Sequence, residues 1–312
     1  MTRTRIVPIS LSSISDTGGS RPRCLRPLEG SGNVPSVVIP AHNEENLIDK
    51  TLRGVVTDGL EGLEVVVVVN GSSDATAERA REFGHGIKVI ETSTPGKCNA
   101  LNLGEAELTR FPRVFLDADI ELRPGTLRAI VEAAGLEDVH IVAPTPRFDL
   151  TGASLAVRLY KRAERFNPYF GSGAPNGSGC FVLTERGRGR WAKFPDIVAD
   201  DGFVQGHFKT EERESVPGTT AIVQQPRDLK SLLAVMTRAR RGGFELQTKF
   251  PDLMQNHQSH VGGMVKRLLV RPWEWPAMFM YGYVRIVERL IAKRQIARGE
   301  TGWGRDETGR SL

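Results

Sequence analysis

The chain has 312 residues, 39% of them hydrophobic and 25% charged, which is the profile of a soluble globular protein with ample core, in one large domain or two closely joined ones. The formal net charge is +5, but residues 266–298 alone carry eight Lys and Arg against two Glu. The remainder is therefore nearly neutral, which argues against nucleic-acid binding by the body of the protein.

The cysteine content and the hydropathy exclude several further classes. Three cysteines, at positions 24, 98 and 180, are too few and too scattered for a disulfide framework, and no CxxC pair suggests zinc. Residues 1–16 contain no apolar core of signal-peptide length, and no stretch reaches the roughly 18 apolar residues expected of a spanning helix. We therefore expect a cytoplasmic protein, with residues 1–33 as a disordered tail and 299–312 as a polar tail.

Strands and helices alternate through the first half of the chain. The predicted strands are 34–40, 63–69, 87–90, 114–116 and 139–143. The predicted helices are one that is capped by Asn43 and runs to about Thr57, then 75–83, 97–108 and 124–134. The run 63–69 is almost wholly apolar, as in a parallel strand covered on both faces. Such alternation predicts an α/β fold with a doubly wound, mostly parallel sheet flanked by helices.

The second half is less regular. An amphipathic helix is predicted over 155–166, followed by a glycine-rich loop over 171–179, a strand over 180–183 and a basic turn over 186–190. A loop this rich in glycine permits close approach to a ligand, although an ordinary linker has the same composition. Asp200 and Asp201 then stand at the predicted start of a helix, as a second pair of acids.

The first pair of acids is Asp117-Ala118-Asp119, directly after the predicted strand 114–116. Ligand sites in open α/β sheets lie beyond the carboxyl ends of the strands. Mg²⁺ is usually held by one or two carboxylates together with substrate phosphate oxygens. Asp-x-Asp here fits a metal bridged to a diphosphate, although solvated turn aspartates are an alternative interpretation.

Five motifs in order resemble family 2 glycosyltransferases, which are inverting enzymes with the GT-A fold. They are the segments 40–45 (PAHNEE), 69–76 (VNGSSDAT), 96–102 (GKCNALN), 116–119 (LDAD, the DXD motif) and the pair 200–201 (DD). The resemblance covers roughly residues 34–244. It implies a GT-A catalytic domain over 34–225, with a nucleotide-sugar-binding half (34–144) and an acceptor-side half (145–225), and leaves 226–298 as a C-terminal helical extension.

The resemblance also implies roles for individual residues. Donor-binding positions would be Pro40, Ala41, Glu44, Asn70, Lys97 and Asp117, and the metal ligand would be Asp119. Asn70 departs from the family pattern, which usually has Asp there, and Asn donates as well as accepts hydrogen bonds. For Lys97 the alternative is an ordinary surface lysine at a helix start.

Asp201 matches the second acid of the family's Glu/Asp-Asp motif, which implies the catalytic base. A helix N-cap is its alternative role. Arg240 matches only the arginine of the Gln-x-x-Arg-Trp element of processive members, because Thr237 replaces Gln and Arg241 replaces Trp. We interpret Arg240 as a diphosphate-facing, donor-binding residue and the altered motif as evidence against a polymer-extruding synthase.

The implied activity is inverting transfer of a sugar from a UDP- or GDP-linked donor to a glycan or lipid-linked acceptor, with Mg²⁺ or Mn²⁺, in cell-envelope or exopolysaccharide assembly. Two alternatives stay open. A nucleotidyltransferase that makes nucleotide-sugars would want a basic, glycine-rich loop after the first strand, where this chain has residues 42–45 (HNEE). A non-catalytic, membrane-associated protein with a degenerate transferase fold is the other.

Residues 264–298 combine aromatic and aliphatic side chains with Lys and Arg. A helix with this composition can lie in the interface of an anionic membrane, here on the inner face of the cell membrane. An ordinary helical pair packed on the catalytic domain explains the same pattern. The sequence alone does not decide between these two interpretations.

Overall fold

A computed structural model describes residues 34–166, 177–257 and 267–299, and within them eight strands form one sheet. The strands are β1 (Ser36–Ala41), β2 (Glu64–Asn70), β3 (Lys88–Thr92), β4 (Arg113–Leu116), β5 (Ile120–Leu122), β6 (Ile141–Asp149), β7 (Cys180–Leu183) and β8 (Arg213–Gln224). Their order in the sheet is β3-β2-β1-β4-β7-β6-β8-β5. Strands β3, β2, β1 and β4 are mutually parallel, β7 is antiparallel to β4 and β6, and β6 and β8 are parallel.

The helices cover both faces of this sheet. They are α1 (Ile48–Val56), α2 (Thr76–Glu82), α3 (Lys97–Glu105), α4 (Thr126–Ala133), α5 (Leu155–Glu164), α6 (Glu185–Arg188), α7 (Asp200–Gly206), α8 (Leu229–Lys249) and α9 (Trp275–Ala297). Alternate residues of β1 and β2 point to opposite faces, so Val37 and Val67 join the cluster under α1, α2 and α4, whereas Val38 and Val66 join the cluster under α3 and α7. The mostly parallel sheet flanked by helices confirms the predicted fold class.

The C-terminal helices form a third apolar cluster beside the sheet. Helix α9 packs against α5 and α8, with Tyr160 of α5 stacked on Tyr281 of α9 at 5.2 Å between ring centroids. Two ion pairs connect the C-terminal segment to this cluster: Glu274 pairs with Arg162 of α5, and Glu288 of α9 pairs with Arg240 of α8. In the described ranges, no helix combines the length and apolarity needed to cross a bilayer.

Three predicted features differ in the structure. The first helix begins at Ile48 and is not capped by Asn43, whose side-chain oxygen instead accepts a hydrogen bond from Ser73 N. The predicted strand 139–143 extends to Asp149, and the basic turn at 186–190 contains the short helix α6. Strands β5 and β8 were not predicted at all, because β5 has three residues and β8 contains Pro217-Gly218, a typical turn signal. Residues 171–176 of the glycine-rich loop lie outside the described residues.

Candidate functional site

The carboxyl ends of β1 and β2 lie side by side and lead into two loops that are joined by hydrogen bonds. Asn43 N donates to Ser72 Oγ (3.0 Å), and Ser73 N donates back to Asn43 Oδ1 (2.9 Å). Asn43 has a positive φ of 54°, a conformation that Asn tolerates better than most residues. Glu44 is buried, and its amide donates to Thr76 Oγ1 at 2.8 Å. The predicted nucleotide-lining segment is thus held rigidly against the loop after β2.

Asn70 is the last residue of β2 and is buried at 3% exposure. Its side-chain nitrogen donates to Ala41 O at 2.8 Å, and its side-chain oxygen accepts from Gly96 N at 3.1 Å. The amide therefore ties the end of β1 to the residue that precedes α3. An aspartate at this position would lack the donor that Ala41 O requires, which explains physically why Asn suits this chain.

Lys97, the first residue of α3, joins the two halves of the candidate site. Its ammonium group lies 2.7 Å from Asp117 Oδ1 and 2.9 Å from Asp200 Oδ2. Burial alone would lower the pKa of Lys97, but the two carboxylates outweigh that effect and raise the pKa above its usual value. Lys97 is therefore a fixed cation beside the end of β4.

Helix α7 reaches Lys97 because the segment before it is clamped onto α3. Asn102 Nδ2 donates to Phe194 O (2.9 Å), and Phe194 N donates to Asn102 Oδ1 (2.8 Å). One turn earlier, Cys98 Sγ contacts Ile197 O at 3.5 Å, and burial raises the pKa of this thiol to about 12. Asn102 and Cys98 are positioning residues to which the sequence interpretation gave no role, although both lie in the 96–102 motif.

Asp117, directly after β4, is positioned by the glycine that precedes the antiparallel strand β7. Its backbone N–H donates to Gly179 O at 2.8 Å. Gly179 has a φ of +61°, and a Cβ there would lie 2.5 Å from Ile120 Cγ1 and 3.4 Å from Asp117 Oδ2. Only glycine fits this position without displacing the neighbours of the Asp117 carboxylate.

Asp201 lies beside Asp200 in the first turn of α7. Its Oδ1 accepts from Gly202 N at 2.7 Å, which fixes the carboxylate. Burial, followed by the negative charge of Asp200, raises the pKa of Asp201 to about 6, while Lys97 opposes the shift. A carboxylate with a pKa near neutrality is suited to accept a proton at physiological pH.

Asp119 is half-buried in the turn between β4 and β5. It lies two residues after Asp117, whose carboxylate pairs with Lys97. Carboxylate oxygens are ligands that suit a hard divalent cation. Among the residues that the structure describes, no three His, Cys, Asp or Glu side chains converge as a closed metal site. A metal-ligating role for Asp119 therefore stays a prediction.

Arg240 lies on α8 and forms a bidentate ion pair with Glu288 of α9, with Nη2 to Oε1 at 2.7 Å and Nε to Oε2 at 3.1 Å. Glu288 is completely buried. The structure thus brings Lys97, Asp117, Asp200 and Asp201 together but engages Arg240 in the C-terminal helices. A diphosphate contact for Arg240 stays a prediction.

A family model described as glycosyl transferase family 2 matches residues 36–186. The 4,4'-diaponeurosporenoate glycosyltransferase of Staphylococcus haemolyticus (strain JCSC1435) is 26% identical over 182 residues, which are 55% of this chain and 46% of that protein. The probable glycosyltransferase YdaM of Bacillus subtilis (strain 168) is 41% identical over 93 residues, 27% of this chain and 22% of YdaM. The matched regions thus span less than half of the length of these curated relatives.

Among solved structures, the mannosyltransferase PcManGT from Pyrobaculum calidifontis, in complex with GDP-Man and Mn²⁺, superposes with a TM-score of 0.60 at 20% identity. The superposition covers 90% of this chain and 83% of PcManGT. At this identity the likeness shows the shared GT-A fold. Together with the family match, it confirms the resemblance that the motifs indicated: residues 36–186, just under half of the chain, match glycosyl transferase family 2.

Proposed function

We propose that the protein is a metal-dependent, inverting glycosyltransferase that moves a sugar from a nucleoside-diphosphate donor to an acceptor hydroxyl. The observation that carries this proposal is the pairing of Lys97 with both Asp117 and Asp200 at the strand ends of a family 2 domain. Ligands of open α/β sheets bind beyond the carboxyl ends of the strands, so a cation and two carboxylates here support a donor site.

The donor would occupy the edge formed by the loops after β1, β2 and β4. Pro40, Ala41 and Glu44 would line the nucleoside side, and Asn70 would hold this wall in place through its contacts with Ala41 and Gly96. Lys97 would then face the diphosphate. Mg²⁺ or Mn²⁺, held by Asp119 and the donor's phosphate oxygens, would supply charge neutralisation for the departing diphosphate.

Asp201 is the residue that we assign to the acceptor's proton. Asp200 forms an ion pair with Lys97. Asp201 instead has a raised pKa, and its carboxylate accepts a hydrogen bond from Gly202 N. The acceptor oxygen would form its bond to the anomeric carbon as the bond from that carbon to the diphosphate oxygen breaks, and the hydroxyl proton would pass to Asp201. Attack from the face opposite the leaving group inverts the anomeric configuration.

The GDP-Man and Mn²⁺ bound to PcManGT support a donor linked to UDP or GDP and a divalent metal. Glucosyl-3-phosphoglycerate synthase from Mycobacterium tuberculosis, which was solved with Mn²⁺ and UDP-glucose, gives the same support. It superposes with a TM-score of 0.51 at 21% identity, and the superposition covers 70% of this chain and 80% of the synthase. For the acceptor we retain a glycan or a lipid-linked glycan of cell-envelope or exopolysaccharide assembly. The family match weighs against a nucleotidyltransferase, and the intact carboxylate cluster weighs against a degenerate, non-catalytic fold.

A nucleotide-release assay tests this proposal. The wild-type protein would be incubated with UDP- and GDP-linked sugars, Mn²⁺ and a bacterial envelope extract as the source of acceptors. We expect release of one nucleoside diphosphate, lowered roughly a hundredfold or more by Asp201→Asn because the general base is lost. Release at an unchanged rate in Asp201→Asn, or no release from any donor, would contradict the proposed chemistry.

A further inference from the structure

Helix α9 is apolar on two opposite faces. One face packs on α5 and α8, and its buried residues are Ala277, Tyr281, Val284, Glu288 and Ala292. Their spacing of three to four residues is that of a single helical stripe. This face explains how the C-terminal helix attaches to the domain, and it confirms that packing accounts for part of the amphipathic pattern of 264–298.

The opposite face of α9 is apolar and exposed. It carries Trp275 (43% exposed), Phe279 (67%), Tyr283 (49%), Ile286 (63%) and Leu290 (52%). Successive spacings of four, four, three and four residues align these five side chains along one side of the helix, over about 22 Å at 1.5 Å per residue. A surface helix that only packed on the domain would carry polar residues here.

Large exposed apolar side chains concentrate in this part of the molecule. Of the eleven that the described residues contain, nine lie between Leu269 and Ile296, and the other two are Leu103 and Leu155. Single exposed apolar residues are ordinary, whereas a contiguous patch marks an interaction site. We call the exposed stripe of α9, together with Leu269, Val270 and Trp273, the apolar surface.

The exposed charges of residues 267–299 have one sign. The two acids of residues 267–299, Glu274 and Glu288, are 2% and 0% exposed and pair inward with arginines. The cations that remain exposed on this segment are Arg267, Arg289, Lys293, Arg294 and Arg298. At 100° per residue, Arg289 and Arg294 flank the apolar stripe on its two sides, and Lys293 continues its line.

We propose that the apolar surface rests on an anionic lipid bilayer, with α9 lying in the plane of the interface. Aliphatic and aromatic side chains would enter the headgroup boundary, and the flanking arginines and lysine would contact anionic headgroups. A second copy of the chain is a poorer occupant, because a symmetric contact through this face would bring the same cations together.

Vesicle cosedimentation tests the proposal on the full chain. The probes are vesicles of phosphatidylcholine alone and vesicles of phosphatidylcholine and phosphatidylglycerol in equal parts. We expect binding to the mixed vesicles to exceed binding to phosphatidylcholine by about tenfold or more, since several cations each contribute near an anionic surface, and to weaken as salt is raised. No binding to the mixed vesicles would overturn the proposal.

Two variants of the apolar surface and one matched control locate the contact. Phe279→Glu combined with Ile286→Glu should lower vesicle binding about tenfold or more, because apolar contact is lost and negative charge is added. Leu155→Glu, an exposed apolar residue on α5 (72% exposed), should leave binding at the wild-type level. Arg289→Glu combined with Arg294→Glu should remove the preference for anionic vesicles while leaving the apolar stripe intact.

Two further readouts separate this proposal from its competitors. Binding of UDP or GDP with Mn²⁺ should be the same in all these variants as in the wild type, so failure of the membrane proposal is distinguishable from failure of the proposed function. Equal vesicle binding by the wild type and the Phe279→Glu, Ile286→Glu variant would overturn the proposal. A concentration-dependent dimer that this variant abolishes, without vesicle binding by the wild type, would assign the surface to a second copy of the chain.

Discussion

Lys97 compensates two carboxylates that come from distant parts of the chain, Asp117 after β4 and Asp200 at the start of α7. Asp200 is only 4% exposed, and its Oδ2 lies 2.9 Å from the Lys97 ammonium group. The sequence indicated all three residues through separate motifs. Their convergence depends on the clamp between Asn102 and Phe194, which no local pattern encodes.

Replacing Lys97 should therefore affect both stability and binding. Lys97→Ala leaves the Asp200 carboxylate buried without its cation, and we expect unfolding free energy to fall by about 3 kcal/mol. Affinity for the nucleoside diphosphate should fall as well. Lys88→Ala is the matched control, because Lys88 pairs with Glu107 at the surface and such pairs contribute about 1 kcal/mol or less. Denaturant titration would check both; equal losses in the two variants would contradict the role of Lys97.

The raised pKa of Asp201 predicts a pH dependence. Between pH 3.8, the usual pKa of an aspartate, and the raised pKa of about 6, the folded state binds more protons at Asp201 than the unfolded state. The contribution of Asp201 to stability therefore falls as pH rises through that window. Above pH 6 the full cost of the buried charge is present. Transfer activity should decline as pH falls below about 6, because the base becomes protonated.

Asp201→Asn should consequently raise the free energy of unfolding at pH 8, by roughly 1–3 kcal/mol, while abolishing most transfer activity. Asparagine keeps an oxygen that can accept from Gly202 N. Thermal unfolding of both proteins at pH 4 and pH 8 would measure the difference, which should shrink at the lower pH. A variant less stable than the wild type at pH 8 would refute this account of Asp201.

At the scale of elements, the order and type of β1 to β4 and α1 to α4 followed from hydrophobic periodicity and turn signals. The prediction failed where those signals conflict with tertiary pairing. Strand β8 pairs with β6 up to Val216 and again from Ala221, so the turn signal at Pro217-Gly218 marks an irregularity inside one strand and not its end. The first helix begins later than predicted because the Asn43 side chain does not cap it but accepts a hydrogen bond from Ser73 N in the loop after β2. Pairing partners far apart in the chain are invisible to a local pattern.

Gly179, directly before β7, positions Asp117, directly after β4. Gly179→Ala would force a Cβ against Ile120 in a left-handed conformation, and we expect a loss of the order of 2–4 kcal/mol in unfolding free energy, with weaker donor binding through the displaced Asp117. Gly218→Ala is the control, because Gly218 also has a positive φ (+84°) but no neighbour within 4 Å. We expect Gly218→Ala to lower the unfolding free energy by about 1 kcal/mol. Equal effects in denaturant titration would show that the contact with Ile120 is unimportant.

The ion pair between α8 and α9 is a second test at this scale. Glu288→Ala leaves Arg240 and Arg285 without their buried partner, and we expect destabilisation by about 3–5 kcal/mol. Asp49→Ala, which removes an exposed pair with Arg79, should cost about 1 kcal/mol or less. Denaturant titration of the two variants gives the comparison. If Glu288→Ala were no worse than the control, the pair would not hold the C-terminal helices.

At the scale of the whole molecule, two cores on the faces of one sheet support the loops of the candidate site, and a third core attaches the C-terminal helices. The sequence left packing and membrane contact as alternatives for these helices. In the structure α9 has a buried face, and its opposite face is exposed, apolar and flanked by cations. The composition of residues 264–298 does not separate the buried face from the exposed face. Telling the two faces apart required the positions of α5 and α8 in the fold.

Isothermal titration with UDP and with GDP, each with and without Mn²⁺, tests for a metal-dependent donor site at the end of β4. It would compare the wild type with Asp119→Ala and with Asp252→Ala, an exposed aspartate outside the candidate site. We predict that one diphosphate binds, that binding requires Mn²⁺, and that Asp119→Ala abolishes it while Asp252→Ala does not. Absence of metal-dependent binding by the folded wild-type protein, or full retention of binding by Asp119→Ala, would contradict a donor site at the end of β4.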